Sequence, residues 1–458
     1  MPTNYFTSSN RTGFRFSLLC IAAALITYMS MYAFRKPLSA ATFEGLTYWG
    51  MDYKIIAIIS QVIGYTCSKF LGIKIVSSMQ PGQRTRYILA LVGIAWTALF
   101  FFAWTPKPYN VVFLIINGLP LGMIFGIVIS FLEGRKNTEL LGAGLCISFI
   151  TASGIVKSVG QYLIVHWGVS DSWMPFLVGL IFIPFLLLGV WMLGKIPPPD
   201  EEDKALRSER APMTKRERRK FFRDFSWGVA MSVLTYATLT VYRDLRDNFA
   251  VELWAQMGYG GKSGILAFSE ICIAVLVLVF IASMIRVKDN RKAFYGNIGF
   301  LICSGVLLFV TTWLFSAHRL SPILWMILSG FGLYLCYACF HTMFFERWIA
   351  LFRYSSNLGF LICLSDSFGY LGSVGVLVYK NFFNYHVDWL DFIKAAAYVS
   401  GTIITVLSIG LFFYFRHKEK AIRPCRRGSD PLHFSSDDYS HLNLTYTQAS
   451  PVKQDVGQ

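Results

Sequence analysis

Apolar residues run along this chain in long blocks, and the blocks are of membrane-spanning length. Twelve are read, over 16–42, 53–76, 87–104, 110–132, 141–166, 173–194, 225–250, 264–286, 292–316, 321–345, 356–380 and 391–415. Inside hydrocarbon such a block satisfies its own backbone only as a helix, so the pattern predicts an all-α membrane protein. The first block runs past signal length, lacks a small-residue cleavage site and holds Arg35; it reads as a retained anchor. The pattern breaks twice. Residues 195–224 pass from Pro197-Pro198-Pro199 through Asp200-Glu201-Glu202-Asp203 to Lys215-Arg216-Glu217-Arg218-Arg219-Lys220, a solvated basic linker. Residues 417–458 are polar and predict a disordered tail.

Six blocks, a linker and six blocks predict four segments: an N-terminal six-helix bundle over 1–194, the cytoplasmic linker 195–224, a C-terminal six-helix bundle over 225–416, and the tail. An internal repeat fits this division. Span four ends in Phe131-Leu132-Glu133-Gly134-Arg135 and span ten in Phe344-Phe345-Glu346-Arg347. Counted from these glutamates, Gly154 and Gly160 match Gly369 and Gly375 within two residues. Two repeated six-helix bundles describe the major facilitator fold, twelve transmembrane helices in two pseudo-symmetric halves with substrate near the midplane between them.

Composition agrees with the pattern. Of 458 residues 55% are hydrophobic and only 15% charged, and mean hydropathy is +0.50. The formal charge of +16 is no nucleic-acid signal, because it follows the positive-inside rule. Lys74, Arg84 and Arg86, then Arg135 and Lys136, then Arg286, Lys288, Arg291 and Lys292, then Arg347 and Arg353 gather at one set of span ends. Both termini are therefore expected in the cytoplasm, with a bacterial inner membrane as the default location. Eight of the nine cysteines lie inside spans, which argues against a disulfide framework. Cys336-Tyr337-Ala338-Cys339 reads as helix packing rather than a metal site.

Arg35 is the most informative residue. A charge inside a span costs about 2.5–3.5 kcal/mol on insertion scales and marks a functional position by default. On a continuous helix Tyr28, Tyr32, Arg35, Ser39 and Thr42 share one face, while Lys36 lies about 100° away and is expected to snorkel or to pair with Glu44. Arg35 reads as an anion clamp, its planar fork suited to carboxylate or phosphate, or as half of a structural ion pair. Span seven carries a second stripe, Tyr236, Thr240, Arg243 and Asp247, with Arg246 one turn on. Either arginine is the candidate counterpart, and Asp244 and Asp247 are candidates to neutralise them locally. Lys69 and Lys157 are candidates for further positive charge, or, for Lys69, snorkelling. Glu270 and Asp366 are candidates for proton coupling or charge balance. Glu133 with Arg135, and Glu346 with Arg347 or Arg353, read as cytoplasmic gate salt bridges. Gly118, Gly122 and Gly126 read as a close-packing ridge.

Several of these residues stand in motifs that resemble a known family. Tyr32-Ala33-Phe34-Arg35-Lys36 resembles the Tyr-x-x-Arg-Lys segment of the organophosphate:phosphate antiporters of the major facilitator superfamily. Ser68-Lys69-Phe70 is similar to their Ser-Lys-Phe, Phe368-Gly369-Tyr370-Leu371-Gly372 to their Phe-Gly-Tyr-Leu-Gly, and Glu270 to a glutamate of span eight. The resemblance implies that one arginine from each half, Arg35 and Arg243 or Arg246, binds the anion. The family's span-five histidine falls near Ala152-Ser153 and is missing, with Lys157 one turn on. The Asp-Arg core of the superfamily's loop motif is also missing after span two.

The expected function is secondary transport of a small organic anion, phosphorylated or not, with Arg35, Tyr28, Tyr32, Lys69, Lys157, Arg243 and Arg246 as binding residues. The alternative is a non-transporting sensor for such an anion on the same fold. No Gly-x-x-x-x-Gly-Lys-Ser/Thr loop occurs, and neither cofactor, metal nor enzymatic activity is expected. The expected partners are the anion and the bilayer, with no nucleic acid and the chain acting as a monomer.

Overall fold

The computed structural model describes residues 10–77, 79–132, 138–197, 215–285, 287, 289–352, 358–383 and 388–427. Among them stand twelve long helices in the predicted order. The first six are α1 (Asn10–Tyr32), α2 (Tyr53–Ser77), α3 (Arg84–Trp104), α4 (Val111–Leu132), α5 (Thr138–Trp167) and α6 (Met174–Gly194). The second six are α7 (Lys215–Asn248), α8 (Gly264–Ile285), α9 (Asn290–Ser316), α10 (Pro322–Cys339), α11 (Leu358–Phe383) and α12 (Trp389–Arg427). Helix α10 runs on through a π turn, Phe340–Phe344, into Phe345–Phe352. Residues to Phe412 form one compact unit, and those from Phe413 a second.

Among the described residues eight helices are long and apolar enough to cross a membrane by length and composition. Helices α1, α2, α7 and α11 are the exceptions, and each carries charge or polar side chains into the interior of the bundle. Many large apolar side chains of the bundle face outward. Trp104 and Trp167, at the same-side ends of α3 and α5, are 71% and 68% exposed, as an interfacial aromatic girdle requires.

The first span departs from the prediction. Helix α1 stops at Tyr32, tightens through i→i+3 hydrogen bonds at Ala33, Phe34 and Arg35, and gives way to a 3-10 turn over Lys36–Ala40. Pro37 is the cause: it has no N–H to donate, and its ring would collide with the carbonyl of residue 33 in a continuing helix. Neighbouring helices satisfy the backbone that the break frees. Asn117 of α4 donates to the Phe34 carbonyl at 3.0 Å, Gln161 of α5 to the Ala40 carbonyl at 2.6 Å, and Lys54 of α2 to the Ser39 carbonyl at 3.1 Å. The one-face stripe expected through Thr42 therefore does not exist beyond Tyr32. Beyond the break the chain forms a two-residue hairpin, Thr47–Tyr48 against Met51–Asp52. Its turn residues Trp49 and Gly50 both have positive φ, the conformation such tight turns demand.

Two other boundaries shift. Helix α7 begins at Lys215, inside the expected linker, and kinks at Phe225, where the polar end meets the apolar block. Helix α12 continues to Arg427, into the expected tail. Residues 198–214 and 428–458 lie outside the described residues.

Packing between helices is close where glycines allow it. A Cβ on Gly118 would lie 2.3 Å from the Gln61 carbonyl of α2, and one on Gly122 2.7 Å from the Ser68 Oγ, so this part of the ridge does pack α4 on α2. The two halves meet along α5 with α8 and α2 with α11. At the first seam a Cβ on Gly154 would lie 2.7 Å from the Glu270 Cβ.

Candidate substrate-binding cavity

The break in α1 delivers Arg35 and Lys36 to the seam between the halves. Both line one central cavity with Tyr28 and Tyr32 of α1, Tyr65 and Lys69 of α2, and Ser153 of α5. The opposite wall comes from Arg243, Asp244 and Asp247 of α7, Tyr334 and Tyr337 of α10, and Asp366 and Tyr370 of α11. Phe125 and Phe149 complete it.

Carboxylates hold most of the cations. Lys69 lies 3.4 Å from Asp366 across the α2–α11 seam, and Tyr236 donates to the same carboxylate at 2.5 Å. Arg243 pairs with its neighbour Asp244 at 2.8 Å and stacks over Tyr337, 4.5 Å from the ring centre. The other oxygen of Asp244 accepts from Ser373 at 2.8 Å. Lys36 pairs with Asp247, and Lys157 reaches the same carboxylate from α5 at 2.6 Å.

Arg35 differs from all of these. Its guanidinium stacks 3.6 Å above the Tyr65 ring and the residue is 8% exposed, yet among the described residues no carboxylate stands within ion-pair distance of it. A cation–π contact is worth about 2 kcal/mol or more to a desolvated cation, against a desolvation penalty of several kcal/mol per ion.

The predicted residues therefore separate into groups. Tyr28, Tyr32, Arg35, Lys69, Arg243 and Asp366 line the cavity. Lys157 sits behind it, 1% exposed, engaged with Asp247. Arg246 points away from it: fully buried, it pairs with Glu270 of α8 at 2.8 Å and donates to the Met326 carbonyl at 3.0 Å. Of the two span-seven arginines, Arg243 is thus the one in the cavity, and Glu270 balances the other within the same half. Glu133, Arg135 and Arg353 lie outside the described residues. Arg347 donates to Asn290 at 2.5 Å.

Two expectations are overturned. Lys36 does not snorkel or meet Glu44; the helix break turns it into the cavity, where it reaches Asp247. Asp247 does not neutralise an arginine locally; it serves lysines of the other half. Sequence reasoning also missed Phe125, Phe149, Tyr334 and Tyr337. The spacing of Tyr334 and Tyr337, phenols one turn apart in an apolar span, is the signal that could have found them.

The charges are segregated between the halves. Among the described residues in and directly behind the cavity, the N-terminal half supplies four cations, Arg35, Lys36, Lys69 and Lys157, and no carboxylate. The C-terminal half supplies four carboxylates, Asp244, Asp247, Glu270 and Asp366, with the two arginines. At the hairpin end Lys54 adds another cross-half pair, to Glu252, and Asn381 of α11 accepts from the Asp52 N–H at 3.2 Å.

This arrangement of helices is the major facilitator fold. The structure of a D-xylose–proton symporter is similar over 87% of this chain and 97% of that one, at 13% identity and a TM-score of 0.59. The nucleoside transporter NupG is similar over 88% and 99%, at 15% identity and a TM-score of 0.57. The human organic anion transporter MFSD10 is similar over 87% and 99%, at 13% identity and a TM-score of 0.53. No curated protein sequence matches the chain. Within that fold, the chain belongs to a family of unknown function, DUF5690, whose model matches residues 37–418. It is a multi-pass membrane protein.

Proposed function

We propose that the protein is a secondary transporter of a small organic anion, working by alternating access, with Arg35 as the principal anion ligand and Arg243 facing it from the other half. The observation that carries this reading is the state of Arg35. Every other cation of the cavity has a carboxylate at hand, and Arg35 has an aromatic ring. An uncompensated buried charge is strongly destabilising, by about 3–5 kcal/mol where a partner is removed, so a protein keeps one where a ligand supplies the counter-charge. The guanidinium offers a planar fork that fits carboxylate and phosphate alike.

The location of Arg35 supports transport rather than plain binding. It shares its cavity with two sets of cross-half pairs, Lys69–Asp366 and Lys36–Asp247–Lys157. Rocking of the halves breaks one set while the other holds, which is what alternating access demands. The positive-inside distribution puts the Lys69 side towards the cytoplasm, with both termini. Asp366 is the candidate for coupling, because its partner lysine belongs to the opposite half; Glu270 has its arginine within its own half.

The test is a thermal-stability screen of the purified protein against small carboxylates and phosphate esters. A ligand of the folded state raises the melting temperature by mass action. The expected result is a concentration-dependent rise for an anion in the wild type, lost in Arg35→Gln. A rise of equal size in Arg35→Gln would refute Arg35 as the ligand.

A further inference from the structure

We infer that the transported anion carries two separate anionic groups, one for Arg35 and one for a second, already built carboxylate cradle formed by Lys36, Lys157 and Ser153. The inference rests on reading the cavity as an anion site and narrows the ligand to a dianion.

The cradle is visible because the protein fills it with its own side chain. The Asp247 carboxylate accepts from Lys157 Nζ at 2.6 Å and from Ser153 Oγ at 2.5 Å, and pairs with Lys36 through its other oxygen. Lys36 also donates to the Asn248 side chain at 3.2 Å. All three donors are at least nine-tenths buried, at 8%, 1% and 2% exposure for Lys36, Lys157 and Ser153. They all belong to the N-terminal half, while the carboxylate they hold belongs to α7 of the C-terminal half. Opening the cavity on this side must part α7 from α1 and α5. That motion withdraws Asp247 and leaves two lysines and a hydroxyl converging on an empty position of carboxylate size. Asp247 is then a tethered competitor for the place of a ligand's second acidic group.

Position and charge agree with this. Arg35 and Lys36 are consecutive residues, about 3.8 Å apart between Cα atoms, so one short molecule can span both. In and behind the cavity six cations face four carboxylates, a surplus of two. One positive charge is Arg35, which has no carboxylate partner among the described residues, and the other is the second lysine on Asp247. A dianion neutralises the surplus, and a monoanion leaves half of it.

The experiment is equilibrium binding to the purified full-length protein of malonate, succinate and glutarate, each against the monoanion of equal chain length, propionate, butyrate and valerate. At neutral pH at least one dicarboxylate is expected to bind about tenfold or more tighter than its partner, which is about 1.4 kcal/mol. Lys157→Gln should bring that dicarboxylate down towards the level of its monoanion, shrinking the tenfold gap between the two. Asp247→Asn should strengthen dicarboxylate binding, because it removes the competitor; a purely structural latch would give weaker binding or none. The wild-type comparison stands even if a variant fails to fold. Equal binding of the two series, abolished by Arg35→Gln, overturns the dianion inference and leaves the anion site intact. Binding of neither series overturns this inference, whatever the phosphate esters of the wider screen show.

Discussion

At the scale of single residues, the cavity is defined by which charges have partners. Arg35 has a ring and, among the described residues, no carboxylate, so its substitution should act on ligand binding more than on folding. Arg35→Lys keeps the charge and removes the bidentate fork. We expect at least about tenfold weaker anion binding, about 1.4 kcal/mol, at unchanged expression, measured by titration calorimetry. Arg246 should behave in the opposite way. Its substitution by Met leaves Glu270 buried without a counter-charge and should cost stability on the order of 3–5 kcal/mol, read as a lower melting temperature. The double variant with Glu270→Met should recover most of that loss, while Arg35-dependent binding remains. Arg35 was legible from the sequence because a charge in an apolar block is conspicuous. The choice between Arg243 and Arg246 was not, since three residues on a helix separate them and only the packing of α8 and α10 decides which one is enclosed. Lys36 was misjudged for a similar reason: its partner Asp247 lies in the other half of the chain.

At the scale of elements, the first helix carries the lesson. A twelve-block hydropathy pattern describes α3, α4, α6 and α9 well, because among the described residues those helices bury no charged side chain. It describes α1 worst. Pro37 ends the helix in the interior of the bundle, and the carbonyls it frees must find donors there. Asn117 is one such donor, bridging Phe34, Ala95 and Gln61. Its replacement by Leu orphans the Phe34 carbonyl, so Asn117→Leu should destabilise by about 1–3 kcal/mol, read as a fall in melting temperature. Because the same break aims Arg35 and Lys36, this variant should also weaken anion binding although Asn117 does not line the cavity. A variant with reduced stability and unaltered affinity would uncouple the break from the site. The glycine ridge was legible because small residues four apart on a span have one common use. The helical extension of α7 to Lys215 was not, since residues 215–220 are all charged and carry no apolar face to predict it.

At the scale of the whole molecule, the two halves are complementary in charge, and this is the feature that sequence reasoning approached least. Each lysine and aspartate was visible; their sorting into a cationic N-terminal face and a carboxylate-bearing C-terminal face appears only when the halves are set together. The sorting predicts how the two halves part. Asp366→Asn removes the partner of Lys69 across the α2–α11 seam. It should favour opening on that side, seen as faster labelling of a single cysteine introduced in the seam. The exchange of charges in Lys69→Asp with Asp366→Lys should slow labelling again towards the wild-type rate. Labelling that ignores both variants would mean that this pair does not hold the seam.

The most direct measurement of the central claim is flux. The purified protein is reconstituted into liposomes, and entry of a radiolabelled anion from the binding screen is followed against the same anion inside. The account predicts saturable exchange by the wild type and loss of at least about nine-tenths of it, the tenfold effect of one bidentate contact, in Arg35→Lys reconstituted to the same density. Binding without flux in the wild type, or wild-type flux in Arg35→Lys, would contradict it.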